Sequence, residues 1–222
     1  MCGRFTSLLS PELLAIIYEV QVQPGSVETR YNIAPSQPVI IVRQQMDGRR
    51  ELAYVNWGLI PSWSKDPSIG HSLINARSES VAEKPSFRSA YRHRRCIVPA
   101  SGYYEWQKTG DKSKQPWYIT SADGSPLSFA GLWEHWRSPD GSEIETCTIL
   151  TTSANELTLP LHDRMPVILA PKTFSQWLSH PSKHEEMQNL FDPYPSVEMD
   201  CYRVSNLVNN PRFDSPTCII QV

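Results

Sequence analysis

The sequence predicts an α+β fold: a single domain over residues 1–222, with a mainly antiparallel sheet or open β-barrel-like core and flanking helices. Three observations predict it. Seven β-branched or aromatic runs, each bounded by Pro, Gly, Asp or Ser, recur between residues 38 and 170. Helical signals are few and fall outside those runs. The 19 prolines are spread without internal repeat or low-complexity tract, which marks many fixed loop corners.

Taken in order, the first element is a helix. Ser10 is its N-cap, Pro11 its first residue and Glu12 an acid in its first turn, while Leu13, Leu14 and Ile17 make an apolar face. Pro24-Gly25 follows its end. Strands then come at PVIIVRQ (38–44), ELAYVNWGLI (51–60), RCIVPA (95–100), PWYIT (116–120), LSFAGLWEHW (127–136), TCTILTT (146–152) and PVILA (166–170). Asp47-Gly48 and Asp123-Gly124 predict hairpin turns between consecutive strands. Shorter helices are expected over 81–93, 173–178 and 183–190.

Composition excludes several classes. A 222-residue chain with 40% hydrophobic and 20% charged residues buries a core without staples, and no apolar run is long enough to span a bilayer. The N-terminal LLAIIY is interrupted by Glu12 and Glu19 and lacks a small-residue cleavage site, so it does not read as a signal peptide. Five scattered cysteines without a C-x-x-C predict reduced thiols and a cytoplasmic protein. The net charge of −2 gives no global field for nucleic acid. Locally, Arg77, Lys84, Arg88, Arg92, Arg94 and Arg95 face only Glu79 and Glu83, which reads either as a phosphate footprint or as a solvated helix face.

Nucleotide-binding, zincin and serine-hydrolase fingerprints are absent. His180 and His184 are spaced for one helix face, but Pro181 intervenes and no third ligand suggests itself, so neither metal nor cofactor is expected. Four polar islands remain: RYNIAPSQP (30–38), SLINARSES (72–80), SGYYEWQK (101–108) and PLHDRMPVIL (160–169). Each sets an Asn, Glu, His or Arg among large apolar residues, where an unpaired polar group is costly. Read singly, Asn75 caps a turn, Glu105 faces water by alternation and His162 bonds its neighbours. In an aromatic-lined pocket, Glu105 becomes a carboxyl of raised pKa, usable as acid and base.

In combination these islands resemble a known family. MCGRF at the start, then RYNIAPSQ, WGLIPSW, INARSES, GYYEW and HDRMPVIL in that order, are similar to the SOS-response-associated peptidase (SRAP) family, and the likeness runs to the final VSNLVNN. Members of that family covalently trap abasic sites in single-stranded DNA. The resemblance implies that Cys2, made N-terminal by Met1 removal, condenses with the ring-opened sugar aldehyde. Its α-amine gives a Schiff base and its thiol closes a thiazolidine. An α-amine is about one-third neutral near pH 7.5, against about a thousandth for lysine. That is an advantage of roughly two hundred-fold, and two nucleophiles on one residue ease ring closure.

The resemblance also implies roles for other residues. Asn75 holds the sugar or the amine, Glu105 shuttles protons for ring opening and imine dehydration, and His162 assists at the Schiff base or touches the adjacent phosphate. Arg4, Arg77 and Arg164 grip flanking phosphates, with Asn32 and Thr151 nearer the pocket, while Trp63 and Phe87 stack on or wedge exposed bases. Some relatives carry a second tryptophan after the one matching Trp63; Ser64 stands there in this chain, which weakens a wedge. The implied partner is abasic single-stranded DNA, bound by a monomer away from any membrane, and the implied peptidase activity is self-directed, before Cys2. Three rivals compete. A glutamine amidotransferase also begins Met-Cys-Gly but carries an Asn-Gly-Asp segment absent here. A thiol peptidase acting on other proteins pairs Cys2 with His162. A non-covalent reader of single strands survives Cys2→Ala.

Overall fold

The computed structural model describes residues 2–22, 26–110, 114–138, 140–179 and 184–222. Early in the chain come β1 (Phe5–Ser7), α1 (Pro11–Tyr18), β2 (Val20–Val22), β3 (Arg30–Ile33), β4 (Pro38–Gln44) and β5 (Arg50–Trp57). The middle holds β6 (Asn75–Arg77), α2 (Arg88–His93), β7 (Arg95–Ala100), β8 (Gly102–Lys108), β9 (Lys114–Ser121), β10 (Leu127–Arg137) and β11 (Glu143–Ser153). β12 (Arg164–Pro166), α3 (Phe174–Leu178), α4 (His184–Met187) and β13 (Met199–Arg203) complete it.

Five strands close a barrel. β11 pairs antiparallel with β10, β10 with β7, β7 with β4 and β4 with β5, and β5 returns to β11 in parallel. Closure hides the edges that an open sheet would expose. β2, β6 and β12 join this ring at its rim, and a second sheet runs in the order β13-β9-β8-β1-β3. Side-chain alternation then divides the interior. Ile41, Val55, Val98, Phe129 and Ile149 form one core with Phe5, Tyr103 and Ile119 of the second sheet. The alternate residues Ile40, Val42, Ile97, Leu132 and Leu150 pack instead with Leu14, Tyr18, Tyr91 and Trp177 of the helices. The α+β expectation of a mainly antiparallel, barrel-like core with flanking helices therefore holds, and the barrel is closed rather than open.

Local chemistry explains the boundaries. Leu13 N–H donates to the Ser10 hydroxyl at 3.2 Å, and α1 ends where Glu19 turns left-handed at φ 52°. Pro24-Gly25 lies outside the described residues. The expected helix over 81–93 shrinks to α2, because Pro85 forbids a continuous helix through it and only turns precede Arg88. The expected PVILA strand stops at Pro166, with a lone bridge from Ile168 to Phe129 beyond it. Asp47-Gly48 does turn β4 into β5, with Gly48 at φ 87°. Asp123-Gly124 does not make a hairpin: β9 belongs to the second sheet and β10 to the barrel, so that turn carries the chain between sheets. The helix expected over 183–190 appears as α4 and a following 3₁₀ turn, with Lys183 and His180 outside the described residues.

One glycine positions the site directly. Gly58 ends β5 at φ 132°, and a Cβ there would come within 2.7 Å of the Gly70 carbonyl oxygen. This close approach brings the 3₁₀ turn over Pro67–Ser72 against the barrel. Trp57 Nε1 donates to the Ile74 carbonyl at 2.9 Å, fixing the residue before Asn75.

Candidate functional site

The N-terminal segment is held as a strand between two others. β1 pairs with β3 on one side and β8 on the other, and Tyr104 N–H donates to the Arg4 carbonyl at 2.9 Å. Residues 2–4 consequently run beside the GYYEW segment. Cys2 is wholly buried in the shared core with Phe5 and Tyr103. Burial, followed by the nearby Glu105 carboxylate, pushes its thiol pKa well up, although the Arg4 N–H aimed at the sulfur works against this. The thiol is therefore kept as S–H.

Glu105 is 4% exposed, and burial raises its carboxyl pKa; the charge of His162 works in the opposite direction. Glu105 and His162, with Gly3, Trp106 and Leu161, line a cleft of about 750 Å³. His162 ends a compact turn whose shape follows from Asn155. The Asn155 side-chain oxygen accepts from the Thr158 N–H and hydroxyl, both at 3.0 Å, and its amide donates to the Tyr194 carbonyl at 2.7 Å. His162 N–H then donates to the Thr158 carbonyl at 3.0 Å. The ring Nδ1 accepts from the Arg164 N–H at 3.0 Å and lies 2.8 Å from an Asp163 carboxylate oxygen. Nδ1 accepts from Arg164 when it carries no proton and can donate to Asp163 when it does, so the tautomer selects the contact.

A second group gathers on β11, whose C-terminal half lies between β6 and β12. Thr151 pairs with Arg77 on one side and Pro166 on the other. Asn75 opens β6, and neither its side-chain oxygen nor its nitrogen has a hydrogen-bond partner, though both are shielded from solvent. Such an amide is unusual in a folded protein and leaves a donor and an acceptor free to pair with a ligand. Arg77 is exposed. Arg164 grips Glu79 with both terminal nitrogens, one of them at 2.9 Å, and also donates to the Thr151 carbonyl. The Nε atoms of Arg4 and Arg164 are shielded and unpartnered as well.

Other expected contacts are placed differently. Asn32 is wholly buried, its oxygen accepting from Arg4 Nη1 at 2.8 Å and its amide shared among the Val208, Asn210 and Phe213 carbonyls. It anchors Arg4 rather than reaching a ligand. Phe87 is 3% exposed within the helix-side core, so it offers no face to a base. Trp63 does offer one, being 59% exposed, with Nε1 donating to the Pro85 carbonyl at 3.3 Å. The basic stripe divides. Arg88 and Arg92 face solvent, Arg94 is paired with Glu134 at 2.7 Å, and Arg95 is buried against backbone carbonyls. Another cleft of about 810 Å³ opens beside Arg43 and Trp133, but Arg43 is already held by Glu51 and Glu145.

Sequence reasoning missed three supporting groups. Glu79 lies in the quoted INARSES block, and only its fork on Arg164 singles it out. Trp106 lines the cleft beneath Arg4, with Nε1 donating to Asn209 Oδ1 at 2.7 Å. Asn155 has no signal in the sequence beyond its place before a turn. Together the arrangement presents a buried residue-2 thiol, a carboxyl of raised pKa, an adjustable imidazole, an unpartnered amide and two arginines. That set can bind an anionic ligand and move protons at a carbonyl carbon.

Comparison with known proteins agrees with the sequence likeness. The profile of the family described as SOS response associated peptidase (SRAP) matches residues 1–211. The abasic site processing protein YoqW of Bacillus subtilis is 42% identical over 224 residues, covering 99% of each chain. The abasic site processing protein YedK of Escherichia coli is 33% identical over 95% of each. A solved structure of a protein from Bacteroides thetaiotaomicron, 30% identical, superposes over 100% of both chains with a TM-score of 0.89.

Proposed function

The chain belongs to the SOS response associated peptidase family, and from that premise we propose that it recognises abasic sites in single-stranded DNA and crosslinks to them through Cys2. The observation that carries this reading is the pairing of a buried Cys2 with Glu105, whose carboxyl pKa burial raises. Once Met1 is removed, the Cys2 amine attacks the sugar aldehyde and a carbinolamine forms. Glu105 as the acid protonates its hydroxyl, water leaves, and an imine remains. The thiol then adds to the imine carbon, and its proton passes to nitrogen, closing the thiazolidine. The balance is one water lost and no oxidant used. A protonated thiol suits this order, because the first nucleophile is the amine.

Asn75 supplies the amide that holds the sugar or the amine, and His162 assists proton transfer at the Schiff base. Arg4, Arg77 and Arg164 take flanking phosphates beside Thr151, and Trp63 stacks on a base. Self-directed cleavage before Cys2 belongs to the same reading, as do a monomeric state and a cytoplasmic location. Among the described residues no helix is long and apolar enough to cross a membrane. The rival thiol peptidase needs a thiolate prepared by a lowered pKa, and the surroundings of Cys2 push the other way.

The test mixes Met-free protein with single-stranded DNA carrying one abasic site and resolves the products by denaturing electrophoresis. A shifted band that intact DNA does not give is expected. Absence of any adduct with protein whose mass shows Cys2 at the N-terminus defeats the proposal.

A further inference from the structure

The chemistry proposed above gives no task to Glu79, yet Glu79 occupies a well-formed anion site on Arg164. Its two carboxylate oxygens meet the two terminal nitrogens of Arg164 in the fork that guanidinium groups present to carboxylates and phosphates alike. The Arg164 side chain is 12% exposed and the Glu79 side chain 54%, so the carboxylate covers the arginine from the solvent side. Arg77 also acts on this carboxylate, and the two arginines together hold its pKa below the ordinary range. Glu79 is therefore a charged carboxylate near neutral pH, where DNA phosphate is charged too.

Two features argue against Glu79 as a mere brace. Arg164 is already positioned from behind, by its hydrogen bond to the Thr151 carbonyl and by β12 pairing with β11. Its Nε, the remaining donor on the shielded side, has no partner and no open approach. A phosphate that reaches Arg164 must therefore take the fork that Glu79 holds.

We propose that Glu79 is an internal competitor for DNA phosphate: it weakens the grip on intact single strands, so that lasting retention depends on the covalent step at Cys2. The inference rests on the functional reading above and adds a source of selectivity to it. An intact strand gains only the difference between a phosphate and a carboxylate on Arg164. A strand with an abasic site is captured regardless, because the covalent bond outlasts the encounter.

The experiment measures binding of a fluorescein-labelled oligodeoxythymidine by anisotropy across a salt series, with parent protein, Glu79→Gln, Arg164→Ala and the double variant. Thermal melts confirm that each is folded. Glutamine keeps the shape but not the charge, so Glu79→Gln is expected to bind roughly fivefold tighter. Its plot of log affinity against log salt should steepen by about 0.7, the release expected for one more neutralised phosphate on a single strand. On the Arg164→Ala background the same change should be nearly silent. A brace predicts the opposite sign. If the parent binds single strands and Glu79→Gln binds no better, the competitor role is overturned alone. A parent that binds no single strand at low salt overturns the functional reading and this inference with it.

Discussion

Glu105 lies close enough to Cys2 for its carboxylate to oppose ionisation of the buried thiol, and burial raises the Glu105 pKa as well. Burial thus shifts both groups toward their proton-bearing forms. This is a poor setting for a thiolate nucleophile and a good one for an acid that protonates a leaving hydroxyl.

Replacing Glu105 by Gln should slow adduct formation about a hundredfold while single-strand affinity stays nearly constant. The parent rate should show an ionisation displaced above the ordinary carboxylate range, and Glu105→Gln should lack it. Single-turnover rates over a pH series read both effects. A mutant with the parent's pH profile would assign Glu105 to packing alone.

The same residue should cost stability. A carboxyl whose folded pKa is raised binds a proton that the unfolded chain has already lost, so folding weakens as pH climbs from the unfolded pKa through the folded one. Glu105→Gln should therefore melt higher than the parent above about pH 5 by roughly 2–4 °C for each kcal/mol relieved. The gain should grow with pH and then level off. Melting curves from pH 4 to pH 8 test the sign.

Asn75 separates stability from activity in another way. Both polar atoms of its side chain are shielded and unpartnered, so Asn75→Leu removes an unsatisfied group and fills similar space. Its melting temperature should be unchanged or higher, whereas adduct formation should fall on the order of 10–100-fold for the lost hydrogen bonds. A large loss of stability would place Asn75 in the scaffold.

Much of this was legible in the sequence because it is local. The runs that became β4, β7 and β10 carry their own alternation and boundary residues, and the cap of α1 lies within four residues of Ser10. What alternation cannot reveal is which strands become neighbours. The parallel return of β5 to β11 joins residues about ninety positions apart, and no short window encodes it. The three-residue strands β1, β2 and β6 were equally hidden, since they exist only as additions to existing edges. The site residues were visible through their motif context, but their burial was not. Phe87 and Trp63 are both large aromatics in the sequence, and only tertiary packing sends one inward and leaves the other exposed.

Arg95 shows how charge misleads when read along the chain. It belongs to the basic stripe, yet it is 1% exposed and donates to the Tyr91 carbonyl at 2.8 Å and the Trp177 carbonyl at 2.6 Å, with the Ser179 carbonyl also bonded. These carbonyls lie at the C-terminal ends of α2 and α3, where a cation is favoured. Arg95→Met should destabilise the protein by roughly 3 kcal/mol, seen as a lower denaturation midpoint. The salt dependence of single-strand binding should not change. A flattened salt slope with intact stability would return Arg95 to the DNA path.

The last prediction separates the amine from the thiol. Thiazolidine closure needs both groups on one terminal residue, whereas a thiol peptidase or thioester-forming enzyme needs only the sulfur. Inserting one Ala between Met1 and Cys2 leaves an N-terminal Ala after Met removal and turns the Cys2 nitrogen into an amide, whose lone pair is delocalised into the carbonyl. Adduct formation at Cys2 should stop, provided mass spectrometry shows the Ala retained. Cys2→Ser is the complementary change. It keeps the amine, so borohydride should trap a Schiff base with abasic DNA, but the sulfur-containing ring and the adduct that survives without reduction should be lost. The two variants fail at different steps: insertion blocks the first bond, and Ser blocks the stable second one. If the uncleaved insertion variant still gives the full unreduced adduct, Cys2 does not act through its N-terminus, and the paired-nucleophile mechanism falls.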